Sequence, residues 1–147
     1  RVRLARAHAA APFVAAAGCV VCVDGARFLP DNATLSRALF SVRSSKRLVL
    51  DSGAEGTATP ASSAASPQFN IVHRCETGAW DASAMLLIQV ETLERGNAEL
   101  RTVGYAALNL FVDLEANAEA DPGPLGEGIA LHEGAFQLPL HAAPPRP

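Results

Sequence analysis

Short runs of alternating apolar and polar residues recur along this chain, separated by clusters of Gly, Pro, Asn and Asp. Alternation with a period of two is typical of half-buried β-strands, and turn residues between such runs favour antiparallel connections. The runs that fit are residues 17–23, 34–42, 47–50, 68–74, 84–92, 103–112 and 135–140. No apolar period of three to four residues is sustained. The pattern therefore predicts an all-β, antiparallel β-sandwich of about seven to eight strands with long loops.

The division of the chain follows its composition. A basic, alanine-rich lead-in covers residues 1–16, the sandwich 17–140, and a proline-rich tail or linker 141–147. Within the sandwich, residues 51–67 consist almost wholly of small and turn-forming residues and are predicted to be a flexible insertion. Residues 113–128 are predicted to form an acidic surface loop. A chain of 147 residues is long enough for one domain with a real core.

The net charge is only −3, but basic residues concentrate in the first third of the chain and acidic residues in the rest. Such polarity suits electrostatic docking to other proteins. Nucleic acid is not expected as a partner, because the basic residues are not interleaved with aromatic residues and the acidic part would repel phosphate.

The cysteines and histidines suggest no metal site and no cofactor. Cys19 and Cys22 form a C-x-x-C inside an apolar run, where residues three apart point to opposite faces, so both are predicted to be buried apolar residues. Reduced thiols suit a cytoplasmic location. His73 alternates with Phe69 and Ile71, which favours a position in the core or at an interface over a ligand role.

Motifs that carry catalysis are missing from the sequence. His132-Glu133 begins like a zinc-protease helix, but Phe136 stands where the second histidine would be needed. Glycine patterns for nucleotides and a nucleophile elbow are also lacking. We therefore predict that the chain is not an enzyme and has no catalytic residues.

Three segments, in the same order along the chain, resemble parts of C2 domains. They are residues 18–30 (GCVVCVDGARFLP), residues 66–70 (SPQFN), and residues 86–110 with the return GYAALNL. The resemblance implies a β-sandwich in which calcium is held by carboxylates from two loops. Here those loops offer only Asp31 and Glu94, with Thr92 in place of an aspartate. The implied site is therefore too poor in carboxylates to bind calcium.

A calcium-independent C2 domain that binds phospholipid is the alternative. Its basic patch would use Arg37, Arg43, Lys46 and Arg47, although we expect Arg37 and Arg43 to lie on opposite faces of their strand.

The segments are also similar to the divergent C2-type modules of ciliary and axonemal proteins. That resemblance implies a noncatalytic docking or scaffolding domain within a larger ciliary or cytoskeletal assembly, with other proteins as partners. Trp80 and Tyr105 are candidate binding residues, because such side chains are often important at interfaces, although both can also fill a core.

Overall fold

A computed structural model describes residues 11–46, 48–116 and 118–145 of the chain. The part described is almost entirely β-structure. After a 3-10 turn, Ala15–Ala17, come β1 (Cys19–Gly25), β2 (Ala33–Arg43), β3 (Val49–Thr57), β4 (Gln68–Cys75), β5 (Met85–Glu94), β6 (Leu100–Asn109), β7 (Phe111–Asp113), β8 (Ala118–Glu119) and β9 (Ile129–Leu131). The predicted all-β class is confirmed. The one short helical turn in these ranges could not span a membrane.

The strands form three antiparallel sheets. The largest has the order β3-β2-β5-β6, β1 pairs with β4 alone, and β7 lies between β8 and β9. Val21 lies opposite His73, and Cys19 lies opposite Cys75. Strands β3 and β4 also lie close to each other at a corner of the sandwich. Just after β3 ends, the Thr59 N–H donates to the carbonyl of Gln68, the first residue of β4, at 2.8 Å. This corner joins the two-stranded sheet to the four-stranded one.

One continuous core lies between these layers. Inward-facing residues of β1 and β4 contact those of β2 and β5, and the fully buried Phe111 of β7 belongs to the same core. The alternation in β2 is nearly regular: Ala38, Phe40 and Val42 are buried while the residues between them are partly exposed. Burial of one side of each strand by the opposite layer stabilises the sandwich.

The prediction of a loop from residue 51 was wrong for residues 51–57, which form most of β3. A strand at a sheet edge is held by backbone hydrogen bonds to its neighbour and does not need large side chains. The pairing of β3 with β2 shifts twice, so that Val42 lies opposite Asp51. Gly53 adopts a φ of 72° within this irregularity, a conformation that glycine accepts readily.

Two other predicted strands differ from those observed. The predicted strand over 103–112 is broken at Leu110, whose N–H bonds the Ala84 carbonyl, so β6 and β7 belong to different sheets. The predicted last strand over 135–140 does not form. Only His141 bridges to Tyr105, through backbone bonds of 2.7 and 2.8 Å. One such pair is too short to build a strand.

Candidate functional site

The two loops that the C2 resemblance singles out lie next to each other. Asn32, in the loop before β2, donates to Glu94 at 3.1 Å, and Asn97 and Arg101 also contact the Glu94 carboxylate. Hydrogen bonds from Asn97 and Asn32, with the charge of Arg101, hold the pKa of Glu94 below its ordinary value. The Thr92 hydroxyl is buried and bonded within the fold. A cation here would have to displace these donors.

The structure describes three of the four basic residues predicted for lipid binding, and two of them share one face of the sheet. Arg37 and Arg43 lie on the same outer face of β2, so the expectation of opposite faces was wrong: residues six apart in a regular strand share a face. Arg37 is paired with Glu91 at 2.7 Å. Lys46 lies exposed in the turn after β2. Arg47 lies outside the described residues.

A shallow groove crosses the outer face of the four-stranded sheet between β3 and β5. Its volume is about 350 Å³, and half-buried Leu39 and Leu87 line it. Arg43 and Glu55, both exposed, lie on its border. Among the described residues Glu55 forms no ion pair, and Arg43 donates only to the Ser41 hydroxyl. Glu55 also lies near enough to Arg37 to help raise the pKa of that guanidinium, after the larger effect of Glu91. The groove thus combines apolar contacts with two opposite charges that form no direct ion pair among the described residues.

The two predicted aromatic binding residues occupy different places. Trp80 is half-buried and makes edge contacts with Phe13 at 5.3 Å and Phe111 at 5.8 Å between ring centroids. It therefore contributes to the packing around Phe111. Tyr105 lies half-buried opposite Gln89, on the same outer face as the groove.

A cluster of chemically active side chains that the sequence analysis did not assign lies at the corner between β3 and β4. His73 Nε2 is 2.8 Å from an Asp51 carboxylate oxygen, and the donor atoms of Asp51, His73 and Cys75 all lie within 4.8 Å of one another. The Cys19 thiol, opposite Cys75, forms a hydrogen bond with it. Oxygen, nitrogen and sulfur donors from three strands therefore converge.

The sequence predicts the relative placement of two members of this cluster. His73 and Cys75 are two residues apart in a strand and so share a face, the same face as Phe69 and Ile71. The expectation that His73 faces inward agrees with its half-buried position. Two further members depend on tertiary structure: Cys19 on the register of β1 with β4, and Asp51 on the irregular pairing of β3.

The cysteines divide as strand geometry requires. Cys19 is buried and Cys22 is exposed, so the prediction that both are buried was wrong for Cys22. A hydrogen bond from Cys75 lowers the pKa of the Cys19 thiol, and the same bond together with burial raises the pKa of Cys75. Cys75 is completely buried. No substrate can reach its sulfur, so Cys75, His73 and Asp51 do not constitute a nucleophilic triad.

Comparison of the chain with protein-family models, with curated proteins and with solved structures gives no match. The function must therefore be argued from the residues and the geometry described above.

Proposed function

We propose that this domain is a noncatalytic docking module that binds an extended segment of a partner protein in the groove on its four-stranded sheet. The single observation that carries the proposal is the composition of the groove: apolar contacts from Leu39 and Leu87, with Arg43 and Glu55 on its border, neither of which forms an ion pair within the part of the chain that the structure describes. A matching segment would carry apolar side chains at its centre, an acidic residue toward Arg43 and a basic residue toward Glu55. Such complementarity gives orientation and specificity.

The balance of charge on this face favours a protein over a membrane. Arg37 forms a direct ion pair with Glu91 and also lies near Glu55, so these carboxylates offset part of the positive charge on this face. Attraction to an anionic bilayer gains about 1 kcal/mol for each basic residue near the surface, and neighbouring carboxylates cancel that gain. Half-buried leucines with charged residues at the border instead match the arrangement of protein interfaces, in which a polar rim surrounds a more apolar centre.

The sequence resemblance to ciliary and axonemal C2-type modules extends the proposal to a place in a larger ciliary or cytoskeletal assembly. This placement rests on the sequence resemblance; the β-sandwich agrees only with the fold that the resemblance implies. Docking through the sheet face itself does not depend on which assembly holds the partner.

Selection from a library of displayed random peptides, with the full chain as bait, tests the docking proposal. We expect enriched peptides with an apolar centre and opposite charges at their two ends, and amide shift changes confined to residues around Leu39, Leu87 and Glu55. Arg43→Glu and Glu55→Arg should each weaken a selected peptide by about two- to fivefold, the value of an exposed ion pair. The combined exchange should restore binding to a peptide with its end charges reversed.

Arg27→Glu is the matched control, because Arg27 is exposed in the loop after β1, away from the groove residues. It should leave peptide affinity unchanged. Sedimentation with phosphatidylserine vesicles at physiological salt provides the second arm. Vesicle binding that Arg43→Glu abolishes, without any peptide enrichment, would replace the docking proposal with the phospholipid alternative. Shift changes confined to another surface would also overturn it.

A further inference from the structure

The corner cluster has the donor set of a transition-metal site rather than of a calcium site. Calcium and magnesium are bound by oxygen, whereas zinc is bound by cysteine sulfur, histidine nitrogen and carboxylate oxygen, usually with four ligands. Asp51, His73 and Cys75 supply one donor of each kind, and their atoms lie within 4.8 Å of one another. Cys19 lies opposite Cys75 in the register of β1 with β4, but it does not belong to this group of three.

The spacing of these atoms is close to that of a tetrahedral site. With metal distances of about 2.0–2.1 Å to nitrogen or oxygen and about 2.3 Å to sulfur, neighbouring ligands lie about 3.3–3.8 Å apart. The Asp51–His73 distance of 2.8 Å would open by about half an ångström, and the separations from the Cys75 sulfur to the other two donors would close by at most about 1.3 Å. Rotamer adjustments of this size need no change in strand pairing.

We propose that Asp51, His73 and Cys75 form a zinc-binding site that links the two layers of the sandwich, with a water molecule in the fourth position. Asp51 comes from β3 of the four-stranded sheet, whereas His73 and Cys75 come from β4, which pairs only with β1. A two-stranded sheet is only marginally stable without further packing. A metal bound at this corner would fasten β1 and β4 to the rest of the fold.

The surroundings orient the ligands. The Asp51 carboxylate oxygen that contacts His73 also accepts a hydrogen bond from the Gly53 N–H at 2.7 Å. The Phe40 ring meets the His73 ring edge-on, with centroids 5.6 Å apart. Contacts of this kind hold metal ligands in place. The His73 side chain is 25% exposed, which leaves a path by which an ion can enter, while the Cys75 sulfur is shielded from solvent.

Metal titration of the reduced full-length chain tests the site. Co²⁺ should give thiolate-to-cobalt charge-transfer absorption and the intense visible bands of tetrahedral cobalt, with one ion per chain. Zn²⁺ should displace the cobalt and raise the Tm by about 5–10 °C when present at about a hundred times its Kd.

Variants identify the ligands. His73→Gln and Asp51→Asn replace half-buried residues with side chains of similar size and should fold. Each should weaken zinc binding by at least tenfold and, at the same zinc concentration, reduce the zinc-dependent rise in Tm by about half or more. Cys75→Ser should remove most of the charge-transfer band; because Cys75 is completely buried, circular dichroism first verifies that this variant is folded. Cys22→Ser is the matched control, because this thiol lies on the exposed face of the same strand as Cys19. It should bind cobalt as the unchanged chain does.

Three results would overturn the proposal. The first is that the reduced chain binds neither Co²⁺ nor Zn²⁺ with a Kd in the micromolar range or tighter. The second is a cobalt spectrum that depends on Cys22 but not on Cys75. The third is metal binding that His73→Gln and Asp51→Asn both leave intact. If thiol counting finds Cys19 and Cys75 joined as a disulfide and reduction does not create a zinc site, the pair is a cross-strand bridge instead. The docking groove would be unaffected, since peptide binding is measured separately.

Discussion

Gly53 is the residue at which replacement by alanine should have the largest effect for its size. A Cβ built at Gly53 would lie 1.7 Å from the Phe40 carbonyl oxygen, and real Cβ atoms stay beyond 3.0 Å, so the backbone would have to move by at least about 1.3 Å. The φ of 72° adds strain for any residue with a Cβ. The substitution therefore acts on the irregular pairing that turns Asp51 inward.

The magnitude follows from these two effects. Left-handed backbone costs an alanine about 1–2 kcal/mol, and separation of the strands loses one or two backbone hydrogen bonds worth about 0.5–1.5 kcal/mol each. Reduced freedom of the unfolded chain returns about 0.4–1 kcal/mol. We expect Gly53→Ala to lower the free energy of unfolding by about 2–3 kcal/mol. That is a large share of the stability of a typical domain.

Two other glycines separate the contributions. Gly96 has a φ of 99° but nothing within 4 Å of its added Cβ, so Gly96→Ala measures backbone strain alone. Gly78 has neither strain nor a close neighbour, and Gly78→Ala should be neutral or slightly stabilising. Urea unfolding followed through the fluorescence of Trp80, the single tryptophan, gives all three values.

The expected order of destabilisation is Gly53, then Gly96, then Gly78. The reasoning fails if Gly53→Ala unfolds within about 0.5 kcal/mol of Gly78→Ala, since the irregular pairing would then tolerate a Cβ. Gly53→Ala should also weaken cobalt binding, because Asp51 would no longer be held toward His73.

Two further predictions concern the core and one turn. Phe111→Ala removes a completely buried ring that contacts Phe13 and Trp80, and it should lower the free energy of unfolding in urea by about 3–5 kcal/mol. Val72 is 72% exposed, so Val72→Ala should change stability little. Equal effects of the two substitutions would contradict the assigned core. The pKa of Asp81 is lowered from 3.8, chiefly by the Ser83 hydroxyl, so its stabilisation is present above that value and is lost as the pH falls through the lowered pKa. The stability difference between the parent chain and Asp81→Asn should therefore shrink as the solution is acidified, and a pH-independent difference would refute the linkage.

Alternation was a good guide where a strand faces the core on one side. The predicted strand over 34–42 lies within β2, and 68–74 lies within β4, because their apolar residues meet the opposite layer. The edge strand β3 gave no such signal, since residues 51–57 are small or polar and hold their place through the backbone. The pattern of apolar and polar residues alone does not predict a strand of that kind.

The candidate metal site shows the same limit. His73 and Cys75 lie on the same face of β4 because they are two residues apart in the strand. The position of Asp51 could not be inferred, because continuous pairing would place Ser52 opposite Val42, and only the shift near Gly53 puts Asp51 there. The position of Cys19 opposite Cys75 needed the register with β4, which depends on how distant parts of the chain pack.

The pairing of β1 with β4 alone has a consequence for synthesis on the ribosome. Strand β1 leaves the exit tunnel first, but its hydrogen-bonding partner follows roughly 50 residues later, several seconds at translation rates of about 5–20 residues per second. During that interval β2 and β3 can already form their hairpin, while the apolar Val21 and Val23 have no partner strand to cover them. Nascent chains should therefore be most exposed to chaperones and to aggregation until Cys75 has emerged.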